Sequence, residues 1–453
     1  MRGTQHNVVM KLPNLLATRR GRLATFFLLY ITEGVPLGFT AVAMATQMRR
    51  VGVSAADIGA FTGAIFLPWA FKWAMGPVVD VVSSDRFGRR RSWIFVMQLG
   101  MVGSLFLLRS AGLHAGIGVL TTLVIVHNLF AATQDIAIDA LAVGTLRADE
   151  RGMAGGLTFA AAYLGQGIGG AGALYLVKYL SFENTYFFVA AVILTVTMLV
   201  VLPLQEPVLA RVAASGHGLR RIAAEIRQFV RDVVAAFTAS RASLIGLVFA
   251  VLPAGAMAMG LALGNTLAVD LGLDDDQVAT LNLWISVFAA SGCVAGGWLS
   301  DRLGRRRSLT WFIIAMSPST LWLAWALWHA GWIRPVDAAQ RAGLNVPTEL
   351  LTIFWAATLL YWFANGLMYG GRAALFMDVS NPRVAATQFT AYMALLNLGN
   401  SFSAKWQGWA VDRYGYPLTL VADALVGLVC LTLLAAMGTI TAQRAATPAP
   451  RTD

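Results

Sequence analysis

Several ionisable side chains lie inside long apolar runs of this sequence. The clearest cases are Glu33, Lys72, Asp135 and Lys405, and Asp139 follows one helical turn after Asp135. A charged side chain at the centre of a bilayer costs about 2.5 kcal/mol or more on insertion scales, so each needs a partner or an aqueous cavity. Carboxyl groups in such surroundings can take up and release protons, which makes Glu33, Asp135 and Asp139 candidates for proton coupling.

The acidic residues of the fourth apolar run share one helix face with an asparagine. At about 100° per residue, Asn128, Asp135 and Asp139 fall within about 40° of one another. We expect this stripe to face a cavity or a neighbouring helix. His127 lies at its border, where it could relay protons or pack as a neutral histidine.

Glu33 precedes two residues that loosen a helix, Gly34 and Pro36, and leave backbone carbonyls available. Two interpretations are open. Glu33 could carry a proton across the bilayer, or it could form a structural ion pair with Lys72 on the next helix. Asp135 presents the same choice between a proton site and a buried partner of Lys72.

Two lysines, Lys72 and Lys405, occur one in each half of the chain. They could supply fixed positive charge to a cavity and so favour an anionic solute, while Arg372 and Asp378 lie nearer the end of their run. Uncharged polar residues could line the same cavity, or could bond one helix to another at about 0.6 kcal/mol each. These cavity candidates are Tyr30, Asn128, Gln166, Asn365, Tyr369, Asn397 and Asn400.

The elements that must position these residues are membrane-spanning helices. The chain has 453 residues, 57% of them hydrophobic and 13% charged. It offers about twelve stretches near the roughly 20 apolar residues that cross a bilayer. Their expected limits are 23–46, 57–80, 93–113, 117–141, 152–177, 183–203, 243–268, 277–299, 309–331, 349–371, 385–408 and 416–440. We therefore predict an all-α integral membrane protein with both termini on one side.

The basic residues of the connections indicate which side that is. Most of them fall on the side of the termini, which places both termini in the cytoplasm. The net charge of +11 is dispersed in short clusters between apolar runs, which argues against nucleic-acid binding. Cys293 and Cys430 lie in apolar runs without metal-ligand or disulfide spacing, and no metal or other cofactor is expected.

A nine-residue sequence occurs twice in the chain. Ser84–Ser92 and Ser300–Ser308 differ at one position, and their offset of 300 − 84 = 216 residues is nearly half the chain. Two six-helix halves in the same orientation are therefore predicted. The expected organisation is an N-terminal half at 1–203, an amphipathic cytoplasmic linker at 204–242, a C-terminal half at 243–440 and a cytoplasmic tail at 441–453.

The repeated sequence resembles the cytoplasmic signature of the major facilitator superfamily. In that superfamily, the charged residues of this loop pair with neighbouring helix ends and stabilise the outward-facing state. The resemblance implies a cytoplasmic gate motif at Asp80, Asp85, Arg86, Gly88 and Arg89, and again at Asp301, Arg302, Gly304 and Arg305. Glycine permits the tight turn, and guanidinium groups can reach carboxylates across the junction of the halves. The alternative is a set of basic anchors on the inner side.

A narrower resemblance covers nearly the whole chain. The stretch 133–140, together with Glu150-Arg151-Gly152 and Phe71-Lys72-Trp73, is similar to the peptide, acetyl-coenzyme A and drug transporter family, which includes AmpG-like muropeptide permeases. The resemblance implies muropeptides, siderophores, acetyl-coenzyme A or related conjugates as solutes. The best-known muropeptide permeases have two additional spans for which this sequence has no room.

These observations predict a secondary active transporter and no enzyme. We expect it to import a polar, anionic small-molecule solute by proton symport and alternating access, as a monomer among the lipids of the bacterial inner membrane. No Gly-x4-Gly-Lys-Ser/Thr sequence for ATP occurs. Two alternatives are an integral-membrane enzyme acting on a lipid-linked substrate, for which the loops offer only the acidic group at 274–276, and a transporter-like sensor.

Overall fold

The computed structural model describes residues 14–82, 87–147, 150–206, 219–238, 241–341, 344–379 and 385–436. Within these ranges all regular secondary structure is helical, and no strand occurs. The first seven helices are α1 (Arg19–Arg50), α2 (Ala55–Ala70), α3 (Gly76–Val81), α4 (Arg89–Ala111), α5 (Ile117–Thr145), α6 (151–177) and α7 (Phe182–Val201). α1, α6 and α7 each include a short π-helical stretch.

The second part of the chain begins with α8 (Leu219–Thr238), which lies in the expected linker. The remaining helices are α9 (Arg241–Val251), α10 (Leu263–Asp270), α11 (Asp275–Leu303), α12 (Arg305–His329), α13 (Thr348–Val379), α14 (Ala385–Tyr414) and α15 (Tyr416–Ala436). We call the side with the loops before α4 and α12 the motif side, and the side with the loops after α1 and α10 the opposite side.

Twelve membrane-crossing segments account for these helices, as the sequence predicts. In the described part of the chain, eight helices are long and apolar enough to cross a membrane: α1, α4, α5, α7, α11, α12, α13 and α15. The other four segments are α6, α14 and two crossings that are each made of two shorter helices.

Those two crossings differ from the continuous helices that the sequence predicts. α2 and α3 are separated by a 3-10 turn at Lys72–Ala74, and α9 and α10 by an irregular stretch, 252–262, which we call the unwound segment. Pro253 cannot donate a helical hydrogen bond, and Gly255 adopts φ 86°, a conformation that favours glycine.

The repeated sequence forms the same turn in both halves. Gly88 precedes α4 with φ 91°, and Gly304 precedes α12 with φ 88°. Other residues adopt such backbone angles only at a cost, so the glycine of each copy is explained by the local geometry. The turn expected at these glycines is therefore confirmed.

The two halves contact each other along two helix pairs that the repeat relates. α2 packs against α14, and α6 packs against α11. A Cβ atom on Gly59 would lie 2.9 Å from the Cα of Gly408, and one on Gly167 would lie 2.9 Å from the hydroxyl of Ser286. Backbones that approach this closely provide smooth surfaces along which two halves can move.

Candidate functional site

A lysine and two aspartates meet in the N-terminal half. The Lys72 ammonium lies 2.8 Å from Asp135 Oδ2 and 3.7 Å from Asp139 Oδ2. The Tyr30 hydroxyl donates a hydrogen bond of 2.6 Å to Asp139 Oδ1. The side chains of Lys72 and Asp135 are 12% and 6% exposed, whereas that of Asp139 is 49% exposed. The group is therefore buried at one end and open to solvent at the other.

Local structure explains how these residues come together. Lys72 lies in the turn that separates α2 from α3, so its side chain leaves the helix axis at a break and reaches toward α5. Asp135 and Asp139 are one turn apart on α5 and therefore point the same way. Together with Tyr30 and Glu33 of α1, these three residues form what we call the charge cluster.

Glu33 is the member of the charge cluster without a partner. Its Oε2 atom is buried and has no hydrogen bond among the described residues. It is close enough to Asp135, Lys72 and Asp139 to interact with them electrostatically. The expected alternative of a Glu33–Lys72 ion pair is not seen in the described contacts, because Lys72 pairs with the two aspartates instead.

A buried polar network that the sequence does not predict lies beside the cluster. Thr32 accepts hydrogen bonds from Gln98 (3.2 Å) and Gln134 (3.1 Å), and Thr197 donates one of 2.6 Å to Gln98. These side chains join α1, α4, α5 and α7. Gln134 directly precedes Asp135, so the network fixes the rotation of α5 that directs Asp135 toward Lys72.

His127 and Asn128 are packed between helices. His127 is fully buried, and its Nδ1 lies 2.8 Å from the hydroxyl of Ser104, which itself donates to the Met101 carbonyl. This arrangement fits a neutral ring with the proton on Nδ1. Asn128 donates to the carbonyl of Ile65 on α2, so it bonds two helices together.

The other cavity candidates fall into different surroundings. Asn397 donates within its own helix to Met393, and Asn400 donates a long bond of 3.4 Å to the Tyr369 hydroxyl. Asn365 is buried with an unpartnered Oδ1. Gln166 is half-buried on α6, whose backbone packs directly on α1.

Lys405 lies apart from the other candidates. It is exposed on α14, between Phe402 at 69% and Trp409 at 54% exposure. These three residues follow one another at helical spacing and form one exposed stripe. The structure therefore does not bring Lys405 together with Lys72.

The unwound segment is held in place by a buried aspartate that the sequence does not predict. Asp423 of α15 accepts hydrogen bonds from the amides of Met257 (2.7 Å) and Ala258 (2.9 Å), and from Gln407 (2.7 Å). Asp423 is 1% exposed. A visible signal is the Pro253 and Gly255 pair inside an otherwise apolar run.

Ion pairs between the halves close the opposite side. Asp270, at the end of α10, is fully buried and lies 2.7 Å from Arg49 of α1 and 3.2 Å from Arg341. It also accepts a hydrogen bond of 2.7 Å from the Tyr416 hydroxyl. Arg50 adds a second pair, 2.6 Å from Asp275. We call this group the opposite-side seal.

On the motif side, two groups of contacts hold the N-terminal half together. Arg22 forms a two-pronged pair with Glu150 at 2.8 and 2.5 Å, and these hydrogen bonds lower the pKa of Glu150 to about 2. Glu206 accepts from the amides of Arg90 and Arg91 at 2.8 and 2.9 Å, which caps the first turn of α4.

The residues of the expected gate motif are only partly described. Asp85 and Arg86, and the side chain of Asp80, lie outside the described residues, while Arg89 begins α4. In the second copy, Arg305 lies 3.8 Å from Asp301, and Arg302 stacks over Trp298 at 4.0 Å. Both of these contacts are within the C-terminal half, so their part in a gate stays a prediction.

Comparisons with known proteins agree with this architecture. The family described as Major Facilitator Superfamily matches residues 24–404. The Escherichia coli (strain K12) protein named "Anhydromuropeptide permease" is 25% identical over 417 residues, which cover 90% of this chain and 79% of that protein.

Two solved structures have the same fold. A D-xylose–proton symporter superposes with a TM-score of 0.67 at 12% identity and covers 91% of this chain and 97% of its own. A bacterial homologue of the human lysosomal transporter Spinster, in an inward-facing and unoccupied conformation, gives 0.68 at 14% identity and covers 96% and 99%. At these identities the likeness shows the fold alone.

Proposed function

The chain belongs to the major facilitator superfamily, and from this we propose that it imports a polar, anionic solute by proton symport. It is a membrane transporter and not an enzyme, in agreement with its family and with the permease from Escherichia coli. The observation that supports proton coupling is the charge cluster, in which Lys72 pairs with Asp135 and Asp139 while Glu33 keeps a buried, unpartnered oxygen.

In the proposed coupling, the carboxyl groups of the charge cluster compete for the ammonium group of Lys72. Three carboxyl groups surround one ammonium group, so the buried charge is balanced best when some carboxyls hold protons. Glu33 is the member free to change its proton without breaking an existing ion pair. Its protonation would remove a negative charge from the cluster and allow the halves to rock with the site loaded.

The basic residues in the motif-side loops favour an orientation in which the motif side faces the cytoplasm. We propose that the protein resides in the bacterial inner membrane as a monomer with both termini inside. With the opposite-side seal closed and Asp139 half exposed, the described conformation is then one that releases solute and proton to the cytoplasm.

The linker fits the same orientation. α8 carries Arg220, Arg221, Arg227 and Arg231 and packs against both α3 and α14. We propose that it lies on the anionic cytoplasmic leaflet between the two halves.

For the solute we propose a muropeptide, a siderophore-like compound or a related conjugate. Support comes from the name of the Escherichia coli relative and from the buried positive charge of Arg372 in the C-terminal half.

Uptake into proteoliposomes tests this function. Purified protein is reconstituted, and accumulation of a radiolabelled anhydromuropeptide and of a ferric siderophore is followed with and without an acidic exterior. We expect accumulation of one of them above the external concentration when the exterior is acidic, and its loss with a protonophore. No flux of either compound, with or without a pH gradient, would overturn the proposal.

A further inference from the structure

Arg372 of α13 is a buried guanidinium group without a carboxylate partner. It is 1% exposed, and no ion pair joins it to any described residue. The other buried arginines, Arg22 and Arg49, each form a two-pronged pair with a carboxylate. Arg372 therefore carries a positive charge that the described part of the protein does not neutralise.

The contacts of Arg372 are with uncharged groups. Its Nη2 donates to the carbonyls of Phe249 and Ala250 at 3.0 Å and of Leu252 at 3.3 Å. The guanidinium also lies 5.2 Å from the ring of Phe249 and 5.6 Å from that of Phe376, whereas its Nε has no partner. Carbonyls at a helix C-terminus and aromatic faces favour a cation, but they do not cancel its charge.

Such a residue is costly within a membrane. Arg372 lies near one end of the apolar part of α13, Thr348–Ala373, and charged residues that are retained inside spanning helices mark solute or ion pathways. A carboxylate that reached Arg372 would replace neutral acceptors with a charged one and form stronger hydrogen bonds.

A row of polar side chains leads to Arg372 along α13. Tyr361, Asn365, Tyr369 and Arg372 follow one another at helical spacing and span about 16 Å at 1.5 Å per residue. The Asn365 Oδ1 is buried without a hydrogen bond among the described residues, and the Tyr361 hydroxyl has only loose contacts with the Gly260 backbone and the Asn365 side chain. The row thus holds unused hydrogen-bonding groups beside the unpaired charge.

The unwound segment covers this row. A Cβ atom on Gly260 would lie 2.7 Å from the Tyr361 hydroxyl, and the carbonyls that bind Arg372 belong to the end of α9 (Phe249 and Ala250) and the first residue of the segment (Leu252). A stretch without helical hydrogen bonds can shift while breaking fewer backbone hydrogen bonds than a continuous helix would. In transporters, interrupted helices of this kind border solute sites near the middle of the membrane.

The two halves also differ in the sign of their buried charge. In the N-terminal half, Lys72 pairs with Asp135 and Asp139, and Glu33 adds a third carboxyl group to the charge cluster. In the C-terminal half, Asp423 is already occupied by three N–H donors, and Arg372 is uncompensated. The N-terminal half is therefore suited to binding a proton, and the C-terminal half is suited to binding an anion.

We propose that Arg372 is the residue that recognises a carboxylate of the solute, with Tyr361 and Asn365 bonding its uncharged polar part. The carboxylate takes the place of the carbonyls of Phe249 and Ala250 when the end of α9 and the unwound segment shift together. This assignment rests on the proposed function and specifies which end of the solute the C-terminal half binds. Lys72 is unsuited to this role because two aspartates already hold it.

The experiment compares two probes that differ in one charge. Proteoliposome uptake is measured for a radiolabelled anhydromuropeptide with free peptide carboxylates and for the same compound with those carboxylates converted to amides. We expect wild type to prefer the acid, and Arg372→Gln to reduce uptake of the acid by about tenfold or more while changing uptake of the amide little. Arg372→Lys should retain part of the preference.

Two further measurements complete the test. Arg334→Gln, in an exposed loop on the opposite side, is the matched control and should leave the ratio of acid to amide unchanged. If Arg372→Gln fails to fold, the comparison is made with Arg372→Lys and with Asn365→Ala, which keeps the charge and should lower uptake of both probes.

The outcomes separate the inference from the proposed function. If Arg372→Gln reduced uptake of the acid and of the amide equally, Arg372 would have only a structural role and the inference would be overturned. Equal uptake of acid and amide by wild type would overturn it as well. Uptake by wild type of neither probe, nor of the ferric siderophore, would instead count against the proposed function and the inference together.

Discussion

At the scale of single residues, the charge cluster contains more carboxyl groups than its one ammonium group can neutralise. Lys72 is bound by Asp135 and approached by Asp139, whose other oxygen accepts from Tyr30. Glu33 is left with a buried oxygen that has no hydrogen-bond partner in the described part of the chain. The residue that completes no bond is the one whose protonation disturbs the fewest contacts, which is why we assign the coupling role to it.

We predict that Glu33→Gln abolishes uphill uptake and spares exchange. Glutamine keeps the size and polarity of the side chain but cannot release a proton, so solute should equilibrate without accumulating. Uptake against a concentration gradient and counterflow between labelled and unlabelled solute measure the two activities. Glu349→Gln, exposed in the first turn of α13, is the control. Normal accumulation by Glu33→Gln would refute its coupling role.

The cluster could be foreseen in part from the sequence. Helical spacing placed Asp135 and Asp139 on one face, and the expected partnership of Lys72 with Asp135 is present in the structure. The Glu33–Lys72 pair could not be decided, because the break in the second crossing rotates Lys72 toward α5. Arg372 was seen only as a charge near a helix end, since nothing in a sequence shows that a carboxylate is missing nearby.

At the scale of elements, the middle of the unwound segment is held by α15. Asp423 accepts from two of its amides, and the Gly255 amide donates to the Gly427 carbonyl at 3.0 Å. A Cβ atom on Gly427 would lie 2.2 Å from the Gly255 carbonyl, so no larger residue fits there. The interruption is thus built into the packing of α15.

We predict that Asp423→Ala destabilises the protein by about 1–3 kcal/mol, the usual cost of leaving buried donors unsatisfied. Transport should fall as well, because the segment beside α13 loses its position. Asp423→Asn retains one acceptor oxygen and should lie between wild type and alanine in both respects. Thermal unfolding in detergent and solute uptake measure the two effects. A stable and fully active alanine variant would contradict a positioning role for Asp423.

Hydropathy could not reveal this interruption. The run at 243–268 is apolar throughout, and the hydrogen bonds that replace helical ones come from α15, more than 150 residues away along the chain. Pro253 and Gly255 were visible signals of a break, yet proline and glycine also occur in continuous spanning helices. Only the distant aspartate distinguishes the two cases.

At the scale of the whole molecule, the opposite-side seal joins the halves through charged groups. Arg49 comes from the first half, whereas Asp270, Arg341 and Tyr416 come from the second. Removing one partner of a buried pair leaves the other charge uncompensated, at a cost of about 3–5 kcal/mol. The closed state of this side therefore depends strongly on Asp270.

We predict that Asp270→Asn shifts the protein toward conformations open on the opposite side. Spin labels at Val51 and Leu344, exposed at 53% and 38%, lie in loops of the two halves and report their separation. Pulsed electron resonance should show longer distances in the variant than in wild type. Asp337→Asn, an exposed residue near the same loop, should leave the distances unchanged. The same distances in Asp270→Asn and wild type would refute the seal.

The whole fold was the part most open to prediction. The nine-residue repeat at Ser84 and Ser300 fixed two matching halves, and both copies form the same glycine turn. The seal was not foreseeable, because Arg49, Arg50 and Arg341 are simply basic residues in loops until their partners in the other half are known.

The imbalance of the charge cluster has an electrical consequence. With its groups ionised, the cluster is an anion, and moving one elementary charge across a bilayer is worth about 2.3 kcal/mol per 100 mV. In the proposed cycle, a voltage that is negative inside would push the empty cluster of Glu33, Asp135, Asp139 and Lys72 away from the cytoplasm. The membrane potential would then reset the transporter for its next load, and currents recorded from the empty protein should reveal that movement.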